Sequence, residues 1–214
     1  YITRDINKSI YYYLLAANQN HPNSQFNLGL IYEEGKYIAR NIDKAIHYYS
    51  LAANQNHRSA QFILGAIYYF GEYITQDINK AVKYFTLAAK QNLSKAQFFL
   101  GFIYYNGEKV RKNVNIGIYW IMESVENKNI DAFFFTGFLY HEGKNVEKDI
   151  KKSIHYYKEA SSFNNQYAKN NLGILYKHGI DNVIEKNVAY ATIYFEEAIK
   201  QKNDRVSMYN LSHL

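Results

Sequence analysis

A chain of 214 residues, 48% apolar and 17% aromatic, carries enough hydrophobic material for a core, and with one proline and no Ser/Gly/Pro-rich stretch it excludes a disordered linker. Having no cysteine, it has no disulfide framework, thiol nucleophile or thiolate metal site, which fits a reducing, intracellular compartment. No apolar run reaches the ~18 residues that cross a bilayer, and the net charge of +6 is local: residues 80–112 hold Lys80, Lys83, Lys90, Lys95, Lys109, Arg111 and Lys112 against Glu108, leaving 18 basic and 18 acidic residues elsewhere.

The opening segment, Tyr1 to Arg4, matches two later loops, Tyr37-Ile38-Ala39-Arg40 and Tyr73-Ile74-Thr75-Gln76, so the chain begins in mid-repeat. Next in each copy comes Asp5, Asn41, Asp77, Asn113, Asp149 or Asn187. Side-chain oxygens at this point accept bonds from the free N–H groups of a helix start, and all six are predicted N-caps. The helix that follows places Ala45, Ile46, Tyr49, Ala52 and Ala53 on one face in its 41–55 copy. After a short turn comes another helix, Ser24 to Glu34 in its first copy, with Leu28, Gly29 and Tyr32 inward.

Gly29, Gly65, Gly101, Gly137 and Gly173 follow one another every 36 residues, and Gly35, Gly71, Gly107, Gly143 and Gly179 keep the same step. A fixed period of this size marks a stacked array of helix pairs. Glycine inside a helix costs roughly 0.5–1 kcal/mol relative to alanine, so the first series is expected to buy close approach of the paired helix, with Ala45 and Ala81 facing the gap. The second series is expected to end each first helix in a left-handed cap, after which Ile38, Ile74, Val110 and Val146 tuck the loop onto the stack. Two copies deviate. The fourth has Thr136 before its glycine and Gly117 and Ser124-Val125 in the preceding helix; the last loop, Gly179 to Asn187, is two residues longer. Neither end reads as a polar capping helix, and the natural chain is expected to continue or its ends to stack on neighbours.

Leu-Gly-x-x-Tyr also occurs in the tetratricopeptide repeat, whose unit is about 34 residues. Here the additional residues lie in the loop between paired helices, with the second glycine and the Asp/Asn cap. From Ala60 through Leu64-Gly65, Tyr68, Gly71, Ile74, Asp77, Lys80-Ala81 and Tyr84-Phe85 to Ala88-Ala89, the second copy closely resembles the Sel-1-like repeat family, and Trp120 stands at that family's tryptophan position. The resemblance covers nearly the whole chain. It implies an all-α fold, a right-handed α/α superhelical solenoid spanning 1–214 as a single domain of five full periods with partial repeats at both ends. It implies a non-catalytic protein–protein interaction scaffold or adaptor. A cysteine-rich branch of the family staples its repeats with disulfides, and this chain lies outside it.

Opposite the inward face of the first helices runs an aromatic stripe: Phe62, Ile63, Ala66, Tyr69 and Phe70, then Phe98, Phe99, Phe102 and Tyr105, then Phe134, Phe135, Phe138 and His141. The segment AFFFTGFLY at 132–140 is apolar all round and must be covered on every side. Neighbouring first helices could supply that cover; otherwise the stripe is an open concave groove for a peptide or helix. Phe62, Tyr69, Phe98, Phe102, Tyr105, Phe134, Phe138 and His141 are the candidate partner contacts. The basic 80–112 segment is the alternative, a site for an acidic partner such as nucleic acid or an anionic surface, competing with the plainer reading of a solvated face. The partner expected is another protein or peptide, with membrane contact only indirect. No phosphate loop, nucleophile elbow or zinc-protease motif occurs, no cofactor is expected, and His141, Glu142 and His178 read as surface polar residues rather than a metal site.

Overall fold

The computed structural model describes residues 6–107, 109–180, 182–200 and 205–213. Among these lie twelve helices: α1 (Ile6–Asn18), α2 (Pro22–Glu34), α3 (Ile42–Asn54), α4 (Arg58–Phe70), α5 (Ile78–Ala89), α6 (Ser94–Asn106), α7 (Val114–Glu126), α8 (Ile130–Glu142), α9 (Ile150–Ser162), α10 (Gln166–His178), α11 (Val188–Ile199) and α12 (Arg205–Ser212). The fold is all-α, with one isolated bridge, Ile180 to Ile184, among the described residues. Two compact units divide within α7: Tyr1–Trp120 and Ile121–Leu214. In the first, α2 packs on α3 and α4 on α5, and α1–α2, α3–α4 and α5–α6 contacts join successive pairs. In the second, α8 packs on α9 and α10 on α11, with α9–α10 and α11–α12 contacts as the joins. Each is a solenoid stack of helix pairs.

Local chemistry sets these boundaries. Asn41, Asp77, Asn113, Asp149 and Asn187 each accept an N–H bond from the residue three further on, at 2.9–3.1 Å. The cap at Asp5 lies outside the described residues. Each cap's own amide also donates back to the carbonyl of the repeat tyrosine: Asn41 to Tyr32 at 2.9 Å, Asp77 to Tyr68 at 3.0 Å, Asn187 to Tyr176 at 2.8 Å. One residue thus starts the second helix and ties the loop to the first. The longer last loop closes onto its tyrosine in the same way, its extra residues absorbed by the Ile180–Ile184 bridge. Gly35, Gly71, Gly107 and Gly143 take the expected left-handed cap, but Gly179 departs from it with φ 70° and ψ 169°. That conformation is nearly exclusive to glycine, and it turns the chain out into the bridged loop.

The turn before each first helix has chemistry of its own. Asn20, Asn56, Asn92, Lys128 and Asn164 all hold positive φ, between 57° and 66°. Next in line, His21 and His57 cap α2 and α4 through ring Nδ1, which accepts from Ser24 and Ala60 amides at 3.3 and 3.2 Å. Asn129 and Asn165 do the same for α8 and α10 at 2.9 Å. A histidine cap works only while Nδ1 is unprotonated. Burial, ahead of the neighbouring Arg58 charge, pulls the His57 pKa below its ordinary value. The cap's contribution, about 1 kcal/mol, is therefore complete above the unfolded-state value near ~6.5 and disappears as pH falls through the lower folded one. Melting curves between neutral and mildly acidic pH should show this loss, and His57→Asn, which caps without titrating, should flatten it.

Packing turns on the glycines. A Cβ added to Gly65 would lie 2.7 Å from Phe85, one on Gly137 2.7 Å from Tyr157, and one on Gly173 2.5 Å from Phe195. Gly29 faces Tyr49 in the same way. All four rings are fully buried. The close approach thus falls one turn beyond Ala45 and Ala81, which are themselves buried; a flat ring, rather than a methyl, fills the notch. Where the ring position is Ile121, the preceding small residue is Gly117, whose missing Cβ admits the Tyr105 backbone, 2.7 Å from where it would stand.

Candidate interaction surface

Half-buried aromatic side chains on the first helix of each pair form the candidate surface, and each unit carries its own set. In the first unit, Phe62 lies with its ring centroid 5.8 Å from those of Phe85 and Phe99. Phe99 stacks on Phe85 at 5.5 Å, and Tyr69 stands edge-on to Phe70 at 5.1 Å. Phe98 and Phe102 meet at 6.0 Å. These rings therefore serve the core along one edge and solvent along the other: Phe62, Tyr69, Phe98 and Phe102 are half-buried, while Phe70 is 60% exposed. Tyr105 is different. At 4% exposure it lies within the packing, so it supports this surface from beneath and is not open to a partner.

In the second unit, Phe134 sits 5.9 Å from both Tyr157 and Tyr167, the latter 61% exposed. Phe138 meets Phe135 at 6.3 Å, and His141 stands edge-on to Tyr157 at 6.2 Å. Phe134, Phe138 and His141 are all half-buried. The all-round apolar segment at 132–140 is thus accounted for on two sides: Ala132, Phe133, Thr136, Gly137 and Leu139 go inward, and Phe134, Phe135 and Phe138 keep part of their surface in water.

Three features escaped the sequence reading. The repeat tyrosine stacks on the aromatic residue of the second helix, as Tyr32 on Tyr48, Tyr68 on Tyr84 and Tyr140 on Tyr156, at 5.7–5.9 Å and nearly parallel. On its other side sits the lysine of the second helix's first turn: Lys44, Lys80 and Lys152, 5.0–5.1 Å from the ring centre. Burial, with the stacked tyrosine second, raises the phenol pKa of Tyr84 and Tyr156. The recurring Lys therefore holds a cation–π clamp across the pair, not merely a charge on a solvated face. A second feature is a row of buried glutamines, Gln25, Gln61 and Gln97, each donating to a carbonyl eight residues back at 3.1–3.2 Å. Gln25 and Gln61 also accept from Gln55 and Gln91 at 2.7 and 2.8 Å. The same register becomes the stacked Phe133–Phe163 pair and then Lys169, buried and bridged to Glu197 at 3.1 Å. The third is the carboxylate of Glu33, which accepts the Tyr49 hydroxyl at 2.5 Å. Burial and that bond drive the Tyr49 pKa far up.

In the basic segment, Lys80 is bridged to Asp77 at 3.5 Å and lies over Tyr68, Lys109 lies 4.8 Å over Tyr69, and Lys90 ends α5, roughly 15 Å along the helix from Lys80. Among the described residues no group of three or more His, Asp or Glu side chains is arranged to hold a metal ion, and no helix is long and apolar enough to cross a membrane.

Comparison with known proteins gives the arrangement its relatives. The family pattern described as the Sel1 repeat matches residues 1–21, 22–57, 58–93, 94–121, 131–162 and 166–203. A protective antigen of uropathogenic Escherichia coli displaying an SLR fold is similar with a TM-score of 0.88 and 25% identity, over 95% of this chain and 43% of the antigen. This chain thus spans less than half of that protein. A Sel1 repeat protein from Oxalobacter formigenes is similar with a TM-score of 0.83 and 28% identity, over 91% of this chain and 78% of its own. An immunity protein from Pseudomonas aeruginosa, 16% identical over 94% of this chain and 74% of its own with a TM-score of 0.57, shares the fold alone. Among curated protein sequences no match is found.

Proposed function

The chain belongs to the Sel1 repeat family, and from that premise we propose that it works as a protein-interaction scaffold, holding a peptide or helix of another protein on the aromatic faces of its first helices. The reading is supported by one observation above the rest: in each unit phenylalanines of the first helices, Phe62, Phe98 and Phe102 in the first and Phe134 and Phe138 in the second, stay half-buried although the neighbouring pairs are closely packed. Rings anchored along one edge are rigid, so a partner gains apolar contact without having to order them. The role is one of binding rather than catalysis, and the 36-residue register repeats the same contact along a bound segment.

Pull-down with the intact chain, repeated with Phe102→Ser and with Phe138→Ser, tests it. Partner recovery is expected to fall at least tenfold, which is about 1.4 kcal/mol, with the helical circular dichroism unchanged. Undiminished recovery would remove the proposal, and loss of helicity would show that these rings belong to the core.

A further inference from the structure

The repeat register explains one hollow in the first unit. Where other first helices carry Leu30, Phe102, Phe138 and Ile174, α4 has Ala66. Over that small side chain opens a cavity of about 130 Å³, the space of roughly four waters, enough for the end of one long side chain. Ile63, Ala66 and Ile67 form its apolar floor, Phe70 and Tyr73 its aromatic wall, and Glu33 and Glu72 its acidic rim.

Among the described residues no ion pair reaches Glu33 or Glu72. Arg40 stands at the edge of the hollow, its guanidinium bonded to neutral groups there: Nε donates to the Glu33 carbonyl at 3.0 Å, one Nη donates to the Tyr73 hydroxyl at 3.1 Å, and the guanidinium lies 5.4 Å over the Tyr73 ring. In the next repeat Gln76 makes the matching bond to the Tyr69 carbonyl, so Arg40 serves as a cap for the end of α2. The Tyr49 hydroxyl donates to Oε2 of Glu33 and so fixes that carboxylate in place.

Resting on the scaffold reading, we propose that this hollow seats a lysine or arginine side chain of the bound segment. Its methylene stem lies against Ala66 and Ile63, and its cationic head meets the Phe70 ring and the carboxylates of Glu33 and Glu72. A leucine or methionine would fill the floor and leave both carboxylates unmatched; a glutamate would be repelled. The scaffold thus requires a basic residue at one position of its partner.

The test uses small probes, N-acetyl-arginine amide and N-acetyl-lysine amide, against the neutral N-acetyl-norleucine amide, titrated into the isotope-labelled chain and followed by NMR. Both cations should shift the amides of Ala66, Phe70, Glu72 and Tyr73 saturably, and the neutral probe should not. Ala66→Phe installs the side chain present at 102 and 138, should fold, and should abolish the shifts. Glu72→Gln should weaken binding roughly threefold to tenfold, and Glu33→Gln, whose amide oxygen still accepts from Tyr49, should do likewise. Equal response to the neutral probe, no response to either cation, or cation binding that survives Ala66→Phe would overturn the proposal. Failure here with partner capture still dependent on Phe102 removes this inference alone. A working cation site with capture indifferent to Phe102 and Phe138 supports it and removes the aromatic surface instead.

Discussion

Replacing Gly29 by alanine should destabilise the first unit by about 1–3 kcal/mol, even though alanine is the better helix former by roughly 0.5–1 kcal/mol. The new Cβ would stand 2.5 Å from Cδ1 and 3.0 Å from Cζ of Tyr49, well inside the ~3.5–4.0 Å at which carbon atoms rest against each other. Tyr49 cannot give way easily. Its ring is fully buried and its hydroxyl is tied to Glu33 at 2.5 Å, so either α2 and α3 move apart or the bond is lost. A domain of this size loses about 2–4 °C of melting temperature per kcal/mol, and the drop should be visible in a thermal melt. Tyr49→Leu alone opens a void; combined with Gly29→Ala, part of the loss should return, giving a coupling energy of opposite sign to the single losses. A melting temperature unchanged by Gly29→Ala would mean that the helices do not depend on that missing Cβ.

The same pair shows why some of this structure was legible in the sequence and some was not. A glycine recurring in step declares a backbone requirement, because few other causes keep that residue inside a helix. The Asp/Asn caps were legible too, since an acceptor before a helix has one common use. By contrast, the ring that fills the notch is a tyrosine or a phenylalanine, and periodicity places it on the inner face without saying which small residue it meets. His57 as a cap depends on the tautomer of its ring, and Gln61 as a core residue depends on a carbonyl eight residues back; neither leaves a mark in composition. Lys80 reads as a surface charge until Tyr68 is found beneath it. The aromatic stripe was visible as a row of side chains, but how much of each ring a neighbour covers is set by packing, which is why Phe62 keeps an open edge and Tyr105 does not.

Removing two oxygen atoms from the α8–α9 pair should stabilise the second unit. Thr136, Ser153 and Tyr157 are at most 1% exposed, and none of their hydroxyls makes a hydrogen bond. Ser153 and Tyr157 share a face one turn apart on α9, and Thr136 precedes the glycine against which the Tyr157 ring packs. Burial pushes the Tyr157 phenol up to about 12; the nearby Asn171 and Ser153 side chains pull against that shift without completing a bond, and Glu142 adds to it. Leaving a polar group buried and unmatched costs about 1–3 kcal/mol. Ser153→Ala and Tyr157→Phe introduce side chains the chain already uses at these registers, Ala45, Ala81 and Ala191 in one case and Phe85 and Phe195 in the other, so volume and ring packing are kept. Each should raise the melting temperature, and the double variant should rise further. The phenol gives a second readout. Its folded pKa lies above the unfolded value of ~10, so the stability tied to the neutral form is complete below that pH and is lost as pH climbs through about 12; Tyr157→Phe should flatten this alkaline decline relative to the parent. Because the Tyr157 ring also underlies Phe134 and His141, the stabilised variant should be carried into the partner assay, where equal capture marks the hydroxyls as unused in binding. A lowered melting temperature in Tyr157→Phe would instead mean that its oxygen is bonded in solution and helps hold the pair together.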